Sequence, residues 1–230
     1  TSVVIRGTED LKDFTPDTRW LITNAGTSVQ LWDVNNIETP VKSIAVAGFI
    51  SDMAVSPDSR WLAVSGDENT VQLVDLQNPA ADPIVLGGYQ DHVSVLDFSP
   101  DSHWLATGSF DGEIRVWDLQ NLTSEPEVLR GHTGYIYTLV FSPDSYRLAT
   151  GSYDETIRLW DVPNLGVEPI VFHGYVGSGS PYPTLAFSPD GVWLATAGGH
   201  IGDQPPRLWD LRNSSTEPIL LIGREDLGDI

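Results

Sequence analysis

Five histidines (His92, His103, His132, His173 and His200) and 32 acidic residues are the side chains of this 230-residue chain best suited to proton transfer or metal binding. Their spacing does not support either. No His-x-x-x-His pair, Gly-x-Ser-x-Gly elbow or phosphate loop accompanies them. Cysteine is absent, so thiolate chemistry and disulfides are excluded and a reducing cytoplasm is the default expectation. His200 with Asp203 lies in an unusual loop, but the further ligands a metal would need are missing. The acid pairs invite a glycosidase reading, which their placement opposes. Asp17, Asp58, Asp101, Asp144 and Asp190 each follow a proline. Asp33, Asp75, Asp118, Asp161 and Asp210 each close a short apolar segment, and Asp67, Asp111 and Asp154 sit in a turn between two such segments. Acids that recur at fixed offsets serve turns, where a carboxylate accepts nearby backbone N–H groups. No catalytic residue, metal or cofactor is expected, and the segment reads as non-enzymatic.

Those offsets belong to a repeat. Five copies run from Phe14-Thr-Pro-Asp17 to Trp32-Asp33, Val55-Ser-Pro-Asp58 to Val74-Asp75, Phe98-Ser-Pro-Asp101 to Trp117-Asp118, Phe141-Ser-Pro-Asp144 to Trp160-Asp161, and Phe187-Ser-Pro-Asp190 to Trp209-Asp210. Their first residues step by 41, 43, 43 and 46, the length of one four-stranded propeller blade. Within the fourth copy, Glu127–Arg130, Ile136–Phe141, Arg147–Ser152 and Thr156–Asp161 read as short strands separated by turn residues. No helical period interrupts them. The fold class is all-β, with four-stranded antiparallel blades.

The segment Leu148-Ala-Thr-Gly-Ser-Tyr-Asp-Glu-Thr-Ile-Arg-Leu-Trp-Asp161, with Gly131-His132 before it, resembles the WD40 family of β-propellers, and the resemblance extends over nearly the whole chain. It implies a buried hydrogen-bond network within the blade, here matched by His132, Ser152, Asp154 and Trp160. Other copies depart from it. Tyr89 and Tyr175 stand at the histidine position, His92 lies three places late, Val74 replaces the tryptophan, and 198–206 replaces the fifth turn. These departures put the network in doubt outside the fourth copy.

The copies divide the chain at about 1–34, 35–76, 77–119, 120–162 and 163–211, with 212–230 opening a further repeat, all within one propeller segment. Val4–Phe14 matches Leu221–Ile230, both reading as an outer strand followed by an inner one. One such segment closes a ring of five. The expectation is therefore a piece of a larger propeller, of about seven blades by family habit; strand exchange between copies or one loose terminus are the alternatives. An unpaired blade edge would promote self-association.

The formal charge of −20 argues against phosphate backbones and anionic membranes, so neither nucleic acid nor membrane is expected as a partner. The resemblance implies a protein–protein interaction module, with partners on the loops entering the inner strands. Those loops carry Phe49, Asp52, Tyr89, Asp91, Tyr135, Tyr137, Tyr175 and Tyr182. Aromatic rings among acids suit a protein or peptide bearing Lys or Arg. The near-identical wording of the copies looks like the long repeat arrays of bacteria, often the sensing or autoinhibitory part of a signalling chain. A passive scaffold is the alternative reading.

Overall fold

The computed structural model describes residues 10–46, 48–173, 184–197, 205–213 and 217–221, with side chains from residue 14 onward. Among the described residues, twenty strands form five separate antiparallel sheets of four. The first holds β1 (Asp10–Phe14), β2 (Trp20–Asn24), β3 (Ser28–Asp33) and β4 (Lys42–Ala45). The second holds β5 (Ile50–Val55), β6 (Trp61–Gly66), β7 (Val71–Asp75) and β8 (Ile84–Leu86). The third holds β9 (Val93–Phe98), β10 (Trp104–Ser109), β11 (Ile114–Asp118) and β12 (Glu127–Leu129). The fourth holds β13 (Ile136–Phe141), β14 (Arg147–Ser152), β15 (Ile157–Asp161) and β16 (Ile170–Phe172). The fifth holds β17 (Thr184–Phe187), β18 (Trp193–Ala197), β19 (Arg207–Asp210) and β20 (Ile219–Leu220). Each sheet is a meander of consecutive strands, and it takes its outer strand from the opening of the next sequence copy. One 3₁₀ turn at Val162–Asn164 is the only helical element among the described residues. No helix among them is long and apolar enough to cross a membrane.

The turns between the first two strands of each sheet explain the recurring Ser/Thr-Pro-Asp. Ser99 Oγ donates to Asp101 at 2.5 Å and accepts the Trp104 N–H at 2.9 Å, while Asp101 also accepts the His103 N–H. The same bonds form around Thr15, Ser56, Ser142 and Ser188. One turn residue adopts positive φ in every copy: Thr18, Ser59, Ser102 and Ser145 near +60°, and Gly191 at +68°. Three of these hydroxyls reach back to the preceding sheet. Ser59, Ser102 and Ser145 accept the backbone N–H of Asp17, Asp58 and Asp101 at 3.0–3.1 Å. The aspartates closing the third strands cap the next turn, as where Asp118 accepts the Gln120 N–H at 2.8 Å.

The core lies between sheets, not within them. Four apolar clusters fill the four junctions among the described residues. At each, one blade offers its Ala/Ile/Leu face, such as Ala149, Ile157, Leu159 and Phe172 of the fourth. The next blade offers Leu185, Leu194, Trp209 and Leu211 or their counterparts. Strands β5, β9, β13 and β17 stand side by side along the inner edge. Their backbones do not form one ladder, and two carboxylates help bridge the gaps. Asp52 accepts the Leu96 N–H at 3.0 Å, and Asp97 accepts the Phe141 N–H at 3.1 Å.

Candidate interaction surface

In the fourth blade a polar relay links two strands, a loop and a turn. Trp160 Nε1 donates to Thr150 Oγ1 at 2.9 Å, Thr150 meets His132 Nε2 at 2.9 Å, and His132 Nδ1 meets Asp154 Oδ2 at 2.9 Å. Thr156 adds a hydroxyl to the same carboxylate. Burial alone would raise the pKa of Asp154. Hydrogen bonds from His132, Thr156 and the Thr133 N–H outweigh that and hold it well below the usual carboxylate range. Gly131 supplies a backbone at φ +143°, where a Cβ would lie 2.4 Å from Arg158 Nη1, and that arginine in turn donates to the Gly131 carbonyl at 2.7 Å.

This geometry corrects one expectation. The hydroxyl in the relay belongs to Thr150, not Ser152. The two share a face of β14, but only the Thr150 hydroxyl meets the indole, while Ser152 donates to Gly134 O and accepts the Asp154 N–H. A second correction concerns the other blades. Tyr89 Oη accepts the Trp117 N–H at 3.0 Å and pairs with Thr107 at 2.7 Å, so the third blade keeps a relay with tyrosine in place of histidine. Burial pushes the Tyr89 hydroxyl up to about 12. Trp32 reaches Thr23 and Trp209 reaches Thr196 in the same way. The second blade replaces both partners together, with Val64 and Val74 buried at the two positions, so no polar group is stranded.

The end of the array carrying the loops into the inner strands holds a continuous group of aromatic rings. Phe110 stacks on Tyr135 with centroids 4.6 Å apart and meets Tyr137 edge-on at 6.0 Å. Tyr153 lies 6.2 Å from Tyr135 and 5.9 Å from Tyr137, and His92 meets Phe110 at 5.0 Å. The rings come from two loop types and from strand β13, in two blades. Backbone bonds from Phe110 N–H to His92 O and from Tyr153 N–H to Tyr135 O, both 2.9 Å, fix each turn beside its neighbour. Tyr135 is 44% exposed and Tyr153 is 63% exposed, whereas Phe110 and Tyr137 are half-buried beneath them. Ser51 Oγ joins His92 Nε2 at 2.9 Å, tying the second blade to the third.

The sequence-derived surface candidates separate accordingly. Tyr135 and Tyr137 come together as part of this shelf. Tyr89 does not, because its ring is buried and its hydroxyl closes the relay. Asp52 is half-buried and spends its oxygens on the Met53 and Leu96 amides. Asp91 is exposed and accepts the His92 N–H. Phe49 is 80% exposed and stands apart from the shelf, since Gly66 occupies in its blade the turn position of Phe110. Tyr175, Tyr182, His200 and Asp203 lie outside the described residues. Phe110 and Tyr153 were missed from sequence. Their signal was an aromatic directly before the turn aspartates Asp111 and Asp154.

Five meandering four-stranded blades with cores at their junctions define a β-propeller array. The family comparison agrees: the family described as WD domain, G-beta repeat, matches residues 39–75, 84–118 and 124–161, the second to fourth copies. These three copies are WD40 repeats, a family whose propellers are protein–protein interaction and scaffold modules and typically not catalytic. No curated protein matches it at a significant level.

Proposed function

We propose that the aromatic shelf of the third and fourth blades receives a protein or peptide segment bearing lysine or arginine. The observation that carries this reading is an exposed, contiguous set of ring faces in a chain with net charge −20. Cations are attracted to tyrosine and phenylalanine faces by about 0.5–2 kcal/mol each, and the surrounding acidic field speeds their approach. On this reading the propeller is the sensing or autoinhibitory part of a larger signalling protein, of the kind found in the bacterial cytoplasm.

Titration calorimetry with a Lys/Arg-rich peptide and an Asp/Glu-rich peptide of equal length, at two ionic strengths, tests the charge preference. Binding of the basic peptide alone, weakening with salt, is the expected result. Equal binding of both, or of neither, contradicts it.

A further inference from the structure

Four of the five blades begin their second strand with tryptophan. Trp20, Trp61, Trp104 and Trp193 each stand opposite the aspartate that closes the third strand. Each indole carries a basic group on its ring. Arg19, Arg60 and Arg212 place their guanidinium carbons 4.6, 4.9 and 5.5 Å from the ring centres of Trp20, Trp61 and Trp193. His103 stacks on Trp104 at 4.5 Å. Trp20 and Trp61 are buried members of their apolar clusters.

The fourth blade breaks this pattern. Arg147 stands opposite Asp161 at the tryptophan position, and Tyr146, 62% exposed, takes the place of the preceding basic residue. A cation is present there and the ring is missing. The Arg147 guanidinium makes no hydrogen bond or ion pair among the described residues. Beside it opens a cleft of about 470 Å³, lined entirely by residues of the fourth blade. Buried Leu159 and exposed Val167 and Ile170 give the cleft an apolar lining, and the carboxylates of Asp144, Asp161 and Glu168 are exposed around it. The fifth blade closes the rest of this junction, where Leu194 and Trp209 join Ala149 and Leu159 in one buried cluster. The cleft is therefore a gap within a formed junction and not an open end of the array.

We infer that this cleft receives a tryptophan side chain from a partner protein, in a segment with a basic residue beside it. The indole would stack on the Arg147 guanidinium and so restore the cation–ring pair that the other blades make within themselves. Leu159, Val167 and Ile170 would cover the part of the ring that the guanidinium leaves bare. Three carboxylates against one guanidinium leave the surroundings acidic, which favours a basic neighbour beside the tryptophan. Arg147 opens β14 and Tyr153 follows its last residue. The cleft thus lies at the opposite end of that strand from the aromatic shelf, and the inference does not rest on the shelf.

Titration calorimetry with a short peptide centred on Arg-Trp, and with its Arg-Ala counterpart, tests the inference. The tryptophan peptide should bind at least tenfold more tightly, and binding that remains with the alanine peptide reports its charge alone. Arg147→Trp supplies the indole that the other blades carry. It should fill the cleft, keep or raise the melting temperature, and abolish the preference for the tryptophan peptide. Val167→Lys, at an exposed edge of the cleft, should weaken the same preference without depending on that replacement. Equal affinity for the two peptides overturns the inference. So does a preference that survives in folded Arg147→Trp protein, or in Val167→Lys protein should Arg147→Trp not fold.

Discussion

The Tyr89 hydroxyl accepts the Trp117 indole N–H at 3.0 Å, and so completes in the third blade the relay that His132 and Thr150 complete in the fourth. A long side chain from the loop into the inner strand serves both, because each blade needs an acceptor for a buried indole and a tie from loop to sheet. Replacing Tyr89 with Phe keeps the ring and removes that acceptor. Stability should fall by about 1–3 kcal/mol, the cost of a stranded buried donor, read as a lower urea midpoint with an unchanged slope. The hydroxyl also titrates later when folded, near 12, than in the unfolded chain, near 10. Its contribution is thus fully present below pH 10 and is lost as pH rises toward 12.

The fourth-blade relay ranks three substitutions. Trp160→Ala removes a buried ring and should cost about 3–5 kcal/mol. Thr150→Val strands both the indole N–H and an imidazole nitrogen, and should cost about 1–3 kcal/mol. Ser152→Ala should cost less than Thr150→Val, since Ser152 contacts only the turn and loop backbone. Thermal melts of the three check the order. A Ser152→Ala penalty equal to that of Thr150→Val would contradict the assignment of the relay to Thr150.

Asp97 carries a pH dependence of opposite sign to that of the turn aspartates. Burial raises its pKa to about 6, against the hydrogen bonds from the Phe141 and Phe98 amides, and nearby Asp52 pushes the same way as burial. The folded chain therefore holds a proton there that the unfolded chain releases near 4. Stability should rise as pH falls through 6, by on the order of 2–3 kcal/mol. It should then decline below about pH 4, as Asp154 and the turn aspartates lose bonds made by their charged forms. Asp97→Asn retains an acceptor for Phe141 and should flatten the profile between pH 7 and 4.5. Urea titrations at closely spaced pH read both slopes.

The fifth blade lacks one latch. Gly191 occupies the turn position where Ser59, Ser102 and Ser145 accept an N–H from the blade before, so no hydroxyl there reaches the Asp144 amide. A Cβ at Gly191 would meet only Asp144 Oδ2, at 3.8 Å. Gly191→Ser would add the bond that the other three junctions make. A non-glycine residue at φ +68° costs roughly 1 kcal/mol, as Ser59, Ser102 and Ser145 already accept, so the net gain at the junction of the fourth and fifth blades should be no more than about 0.5 kcal/mol. Hydrogen exchange of the fifth-blade amides, compared with the parent chain, checks the gain.

The parts of this architecture visible in the sequence are those a single repeat determines. Ser99, Pro100 and Asp101 set their own turn, and Trp117-Asp118 closes its own strand, so period, strand order and the roles of most acids follow from local chemistry. What joins different copies is not local. Nothing in the spacing of Asp52 says that its carboxylate meets Leu96, 44 residues on. Tyr89 is legible at the histidine position, but its spacing does not say that its hydroxyl accepts the Trp117 indole N–H. Phe110 and Tyr135 stack only because a turn of one blade lies beside the entry loop of the next. Thr150 and Ser152 lie two residues apart on one face, and only their distances to Trp160 and His132 separate their roles.

The central claim, that the aromatic shelf binds a basic segment, is tested most directly by substituting its two exposed rings. Tyr135→Ala with Tyr153→Ala should weaken binding of a Lys/Arg-rich peptide at least tenfold by calorimetry, about 1.4 kcal/mol, while the melting temperature changes little. Unchanged affinity in a folded double variant would contradict the claim.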